Sequence, residues 1–484
     1  MIEQLRKIDK IYDLLALCGS YILNELEKYS YEFGTFKDEE FDGVYDAIER
    51  YCCERQQKGH KKAFDELRNY LISFMFPQVT IEKCFAVVKY IDDLVEVEIN
   101  DKLLGGKHLI KYCAMNEQYI DSIRIIPKMK ESFLNRNEIQ LNKPANQYSL
   151  FRKRRECACS LLDRETVNYM IWDRAHIGKY PTWIYYFNEK SYISKYFYNR
   201  NQITFGIVPF TNKPLDEILD VKYKDKLFYI NQMHKEAEQQ LANRYNDIWK
   251  RCEKEDIDFL IFPEMLMTEN IISKIKQQEK ILSPKIIING SIWKNYMNKS
   301  IVTDGNGKEI FSYYKKEPFK FQKGNLEYKE YLDQDQNKEY VIMEIEGIGR
   351  IGVCICKDLI SEEVKLFHKH IGTDILIVPA YTKSMDLQAS AEELSKEYNC
   401  VVVVANACSA LGKIKQINEE IRIGFITIPA KLNTNRSIIV KRYMQNECVT
   451  ECNHGCVGKK IIIDFYKTKE YKEGVSFEIR ESSF

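Results

Sequence analysis

Glycine and proline are scarce, 21 and 11 of 484 residues. That excludes collagen-like and Pro/Gly-rich low-complexity architectures, and a composition of 45% hydrophobic and 30% charged residues is that of a globular protein. Neither charge sign is in excess: 72 basic residues face 71 acidic ones, for a formal net charge of +1. Global attraction to nucleic acid or anionic lipid is therefore not expected, and neither is indicated as a partner. No run of about 18 uncharged apolar residues occurs, so no membrane-spanning helix is expected. The N-terminal stretch lacks the pattern of a signal peptide, because Glu3, Arg6, Lys7, Asp9, Lys10 and Asp13 interrupt every apolar run. Cysteine, by contrast, is plentiful. Fifteen are scattered along the chain, which fits a reducing bacterial cytoplasm and thiols that are buried, metal-bound or reactive rather than paired.

The length points to two domains. Residues 1–198 read as a mainly helical domain of unassigned role. Within it, YIDDLVEVEI breaks the helical pattern, and Tyr90-Ile91-Asp92-Asp93 has the look of a turn between two strands, resembling the metal-binding hairpin of reverse transcriptases. An Asp-Asp turn is also ordinary punctuation, and no other polymerase block accompanies it. LFRKRREC, 150–157, reads as a solvated basic helix face. From 199 to 484 the pattern changes to short β-branched runs alternating with helices: QITFGIVPF, DFLIFPE, KIIINGSIW, GRIGVCICKD, TDILIVPAY and CVVVVANA. This is the signature of an α/β domain with sheets buried under helices.

Three of these runs end in reactive side chains: Glu264 after DFLIFP, Lys315 and Lys316 after EIFSYY, and Cys356 after IGVCI. Strand ends are where an α/β sheet presents functional groups. A thiol, a carboxylate and an ammonium can together split an amide or nitrile C–N bond. The thiol attacks, the carboxylate takes its proton and passes it to the leaving nitrogen, and the ammonium stabilises the developing negative charge.

These blocks resemble the nitrilase, or carbon–nitrogen hydrolase, superfamily over roughly residues 200–430. LIFPEM is similar to its Phe-Pro-Glu strand end, NKSIVTDGNGKEIFSYYKK to its Asn-Ser, Asp-x-x-Gly-Lys and Tyr-x-Lys block, and IGVCICKDL to its Gly-x-x-x-Cys-x-Asp motif. The resemblance implies an αββα sandwich, a Glu264-Lys315-Cys356 triad, no cofactor and no catalytic metal, and homo-oligomerisation through a helical face. Lys315 lies eight residues after Gly307 with Tyr313 two before it, which keeps the family spacing; Lys316 is the alternative. Cys356 lies four after Gly352, Cys354 reads as core, and Asp358 as a support for the turn. Lys357 replaces the family's usual aromatic residue, with its backbone N–H still available as an oxyanion donor. A second glutamate near the substrate would come from Glu327 or Glu330, for each of which a surface carboxylate is the default.

Outside this region, Cys448, Cys452, Cys456 and His454 have the chemistry of a zinc site, though not one of the strong ligand spacings, and ordinary reduced cysteines are the simpler expectation. His368 and His370, on the helix after Cys356, read as surface residues. The expectation is a cytoplasmic amidase-type hydrolase working through a cysteine thioester on a small amide or acyl substrate, with transfer to water or to another amine left open. The competing expectation is an inactive or sensor scaffold in a multi-component assembly, a defence system for example, with the N-terminal domain binding a protein partner.

Overall fold

The computed structural model describes residues 1–28, 41–95, 109–112, 123–127, 169–173, 182–187, 191–198, 200, 202–211, 213–274, 284–333, 339–345, 348–382, 386–398, 400–411, 422–431, 437–445, 458–471 and 474–484. The chain divides into two compact units. The first comprises Met1–Lys107, Tyr112–Lys130 and Arg152–Lys179; the second comprises His108–Lys111, Glu131–Phe151 and Tyr180–Phe484.

The first unit contains helices α1 (Ile11–Lys28), α2 (Asp42–Lys58), α3 (His60–Met75) and α4 (Ile81–Leu94). An antiparallel pair, β1 (Ile123–Pro127) and β2 (Tyr169–Asp173), belongs to the same unit. Helices α2 and α3 bury a stripe at helical spacing, such as Phe64, Leu67, Leu71 and Met75 on α3, whereas α1 and α4 are buried on all sides over Asp13–Ser20 and Cys84–Val88. Thr80 starts α4 by accepting a hydrogen bond from the Lys83 amide at 3.3 Å. Asp92 and Asp93 fall inside α4, not at a turn between strands, and Asp92 is buried. The spacing of Cys84, Val87, Val88 and Ile91 along that helix outweighs the local alternation at Val95. The basic run at 150–157 lies outside the described residues.

The longest segment of the second unit runs from Tyr180 to Phe484. Strand β3 (Thr182–Phe187) pairs in parallel with Tyr340–Ile345 along its whole length, which anchors it to this unit. After it come β4 (Gln202–Ile207), helix α5 (Lys235–Glu255), β5 (Phe259–Ile261), β6 (Ile286–Ile288), β7 (Ile292–Lys294), β8 (Met297–Asp304) and β9 (Glu309–Tyr314). The chain continues with β10 (Tyr340–Ile345), β11 (Gly349–Val353), α6 (Glu362–Ile371), β12 (Ile375–Ala380), α7 (Asp386–Tyr398) and β13 (Val401–Asn406). It closes with β14 (Arg422–Lys431), β15 (Ser437–Gln445), β16 (Lys459–Tyr471) and β17 (Gly474–Ser483). These strands join in the order β3-β10-β11-β12-β13-β14-β17-β16-β4-β5-β6-β8-β7, with β9 on β8 and β15 on β14. Four more strands, Lys320–Lys323, Leu326–Glu330, Leu227–Met233 and Leu219–Lys224, form a separate small sheet in that order.

The strands β10 to β13, β5 and β6 are buried on both faces, as expected where β11, β12 and β13, and β5 and β6, pair in parallel under covering helices. Helix α5 packs Leu241, Tyr245, Ile248 and Trp249 on the half carrying β5, β6 and β8. Helices α6 and α7 cover the half carrying β11 to β14. The two halves meet face to face. The Tyr185 ring of β3 lies 5.3 Å from the Phe311 ring of β9, and the Glu264 amide donates to the Ala380 carbonyl. The layers run helix, sheet, sheet, helix, and the meeting of the halves brings three separate strand ends together.

Candidate active site

The loop after β5 carries Glu264. Its turn is tight: Met265 has φ 67°, and its amide donates to Ser291 Oγ at 2.9 Å. Gly290, at φ 53°, packs directly beneath, and a Cβ there would lie 2.0 Å from the Pro263 carbonyl oxygen. Only glycine lets these two loops approach so closely. Lys315 follows β9, with its amide bound to the Asn298 carbonyl at 2.8 Å. Cys356 opens the 3₁₀ turn Cys356–Ile360 after β11 with φ 47°, a left-handed conformation that a non-glycine residue adopts at an energetic cost.

Asp358 holds this elbow. Its Oδ1 accepts from the amides of Lys316 (2.9 Å) and Glu317 (2.7 Å), and its Oδ2 accepts from Tyr313 Oη (3.0 Å) and the Ile355 amide (3.2 Å). One fully buried carboxylate therefore joins the segment that carries Lys315 to the turn that carries Cys356. The expectation that Asp358 supports the turn agrees with this geometry.

Glu264, Lys315 and Cys356 converge, at 1%, 7% and 3% exposure. Lys315 Nζ donates to Glu264 Oε1 at 2.7 Å and to Glu330 Oε2 at 2.6 Å. The Cys356 thiol hydrogen-bonds with the Glu264 carboxyl, and the Tyr381 amide donates to the sulfur. Burial pushes the Cys356 thiol well above the ordinary cysteine range, and the neighbouring Glu264 adds to this while Lys315 opposes it. Burial also raises Glu264, against the pull of Lys315. For Lys315 burial acts downward, but the two carboxylates outweigh it and the ammonium is held firmly protonated. The site thus rests as a neutral thiol beside a carboxyl group and a cation.

Lys316 faces elsewhere. Its Nζ donates to the Glu339 carbonyl at 2.8 Å and lies 4.8 Å from the ring centres of both Tyr313 and Tyr340. Of the two candidate lysines, Lys315 is the one that meets the carboxylates. Cys354 is buried in the core, as expected. Lys357 is half-buried at the start of the 3₁₀ turn.

Glu330 is not a surface carboxylate. Its Oε1 accepts from Trp293 Nε1 (3.2 Å) and Asn298 Nδ2 (3.1 Å), and its Oε2 accepts from Lys315 and from the Phe319 amide (2.9 Å). Glu327 is exposed and pairs with Lys320 at 3.5 Å. Strand alternation could have separated the two, since Tyr328 and Glu330 share the inward face of their strand and Glu327 points out. Asn298, the first residue of NKSIVTDGNGKEIFSYYKK, donates to both carboxylates, to Glu264 Oε1 at 3.0 Å as well as to Glu330.

His368 is buried, not on the surface, and its Nδ1 bonds to Thr373 Oγ1 at 3.0 Å. Nothing is described of the His370 side chain. Cys448, Cys452, His454 and Cys456 lie outside the described residues; among the described residues no cluster of metal-ligating side chains forms. No described helix is long and apolar enough to cross a membrane.

No family profile and no curated protein matches the chain. Solved structures similar to it include members of the nitrilase superfamily. Nit3 of Saccharomyces cerevisiae, a member of branch 10 of that superfamily, is 16% identical over 51% of this chain and 92% of its own, with a TM-score of 0.30. The NitFhit protein of C. elegans is 13% identical over 50% of this chain and 61% of its own, at 0.33. An amidase from Nesterenkonia sp. is 12% identical over 59% of this chain and 91% of its own, at 0.32. Similarity at that level assigns no role to any residue here.

Proposed function

We propose that the second unit hydrolyses non-peptide C–N bonds of the amide type through a thioester on Cys356. The observation that supports this best is the burial of Glu264, Lys315 and Cys356 against one another at the ends of three strands from two facing half-sheets. Glu264 takes the thiol proton as Cys356 Sγ attacks the carbonyl carbon, and Lys315 stabilises the oxygen that becomes negative. The same proton passes from Glu264 to the leaving nitrogen as the C–N bond breaks. Glu264 then draws a proton from water, which attacks the thioester and frees the acid and the thiol. Glu330 and Asn298 keep Lys315 and Glu264 in position throughout. A resting neutral thiol suits this sequence, because deprotonation is coupled to attack rather than preceding it.

The test is intact-mass spectrometry of the protein after incubation with a panel of short-chain amides. An acyl adduct mapping to Cys356, absent in Cys356→Ala, is the expected result. Cys356→Ala should also lower turnover by at least about 1000-fold while thermal unfolding stays close to that of the parent. An adduct on another cysteine, or full turnover by Cys356→Ala, would sink the proposal.

A further inference from the structure

Lys316 stands beside the site without entering it, and its surroundings give it a task. Its amide donates to Asp358 Oδ1, while its side chain runs to the residue before β10, where Nζ donates to the Glu339 carbonyl at 2.8 Å. There the ammonium lies 4.8 Å from the centres of both the Tyr313 and the Tyr340 rings. Both rings are held in place. Tyr313 Oη donates to Asp358 and Tyr340 Oη to Glu363 Oε1 at 3.2 Å, and the Tyr340 ring stacks on Phe367 at 4.0 Å.

Asp358 needs a cation. Its four hydrogen bonds all come from neutral donors, the amides of Lys316, Glu317 and Ile355 and the Tyr313 hydroxyl. A proton on this carboxyl would turn one acceptor position into a donor and break at least one of the four. Burial raises Asp358 above its ordinary range; the Glu317 amide and then the Lys316 charge act most strongly against this, ahead of Lys315. The groups facing Lys316 are Asp358 from the turn, Glu363 and His368 from α6, Glu339 and Tyr340 from the start of β10, and Tyr313 from β9. Burial keeps His368 neutral, so the positive charge among these groups is that of Lys316. Burial pushes Lys316 itself down to about 8 while Asp358, Glu363 and Glu339 pull upward, so it is still charged at neutral pH. The fold keeps that charge inside at a cost, since an exposed lysine holds its proton to about 10.5.

We infer that Lys316 is a positioning residue for the thioester chemistry: its ammonium keeps Asp358 charged, and so keeps the Cys356 turn joined to the segment that carries Lys315. This rests on the thioester reading above. In this role Lys316 touches no reacting group and takes up no proton from the substrate; it acts through Asp358. The consequence lies in acid. Once Asp358 gains a proton the turn comes loose, and without Lys316 it gains that proton at a higher pH. Glu264 titrates as well, but it answers chiefly to burial, Lys315 and Glu330, so a change at Lys316 leaves it in place.

The experiment measures kcat and KM from about pH 4 to 8 on a short-chain amide that acylates Cys356. The proteins are the parent, Lys316→Met, Lys316→Gln and Lys316→Arg, with circular dichroism to identify the folded variants. In the two neutral variants the acid limb of kcat should move up by at least about one pH unit, with KM nearly unchanged. Lys316→Arg keeps the charge and should keep the limb where the parent has it. A limb that stays put in a folded neutral variant would overturn the inference, and so would one that moves equally far in Lys316→Arg. If neither neutral variant folds, the charge serves the fold rather than the turn, and the inference is overturned as well. No adduct on Cys356 of the parent from any amide would instead remove the thioester reading, and this inference with it.

Discussion

Tyr313 Oη donates to Asp358 Oδ2 at 3.0 Å, so a residue two before Lys315 is bonded to a residue two after Cys356. Lys315 and the turn that carries Cys356 come from different half-sheets, and this buried bond is one of the links between them. Tyr313→Phe removes it while keeping the ring, and should cost about 1–2 kcal/mol of stability in urea unfolding. The proposed chemistry requires Lys315 and Cys356 in register, so kcat should fall about 10-fold with KM nearly unchanged. Asp358→Asn replaces an acceptor of four bonds with a group that must aim N–H at donors, and its loss should exceed that of Tyr313→Phe on both measures. A Tyr313→Phe enzyme that is less stable yet keeps its full kcat would show that the bond supports the fold and not the site.

Gly290 tests the carboxylate arm of the site without touching a reacting group. A methyl group at this position would meet the Pro263 carbonyl at 2.0 Å, and the backbone there has a positive φ. Gly290→Ala must therefore displace the Pro263–Glu264 segment or distort its own loop. The expected outcome is a loss of about 1–3 kcal/mol together with at least a 10-fold fall in kcat. The comparison variant is Gly324→Ala. Gly324 also has a positive φ, but nothing lies within 4 Å of the added Cβ, so its effect should stay with stability alone.

The parts of the site legible from sequence are those fixed by local pattern. Short apolar β-branched runs mark β5 and β11, and the residues that follow them, Glu264 and Cys356, stand where strand ends place them. Glu330 was legible only as one of two candidate glutamates, because NLEYKEYL is polar and the burial of Glu330 comes with a parallel pairing to residues about a hundred positions earlier, Glu330 opposite Phe228. Asn298 escaped for a similar reason, since its two carboxylate partners lie 34 and 32 residues away. Asp92 and Asp93 were misplaced because a brief alternation in YIDDLVEVEI competes with a longer helical stripe, and the stripe prevails. His368 could have been placed from its own helix. Val364, Phe367 and Ile371 set the buried stripe of α6, and His368 lies on it; Gly352 leaves room for the ring, which a Cβ would meet at 2.5 Å.

That buried ring makes a prediction about acid. Burial, assisted by the nearby Lys316 charge, pushes the His368 pKa down to about 3, from 6.5 in an exposed histidine. Between those values the unfolded chain binds a proton that the folded chain does not. The stabilisation is therefore complete above pH 6.5 and is lost as pH falls toward 3, by about 1.4 kcal/mol per unit. At pH 4.5 the parent should have lost about 2–3 kcal/mol through this group. Other buried groups titrate in the same range: the Asp258 carboxyl, raised by burial to about 6, acts in the opposite direction. The readout is therefore a difference. The unfolding free energies of the parent and of His368→Gln, measured in urea from pH 7 to 4.5, should converge by about 2–3 kcal/mol as acid is added. Curves that stay parallel would mean that the folded protein accommodates a protonated His368, and that its burial carries no acid sensitivity.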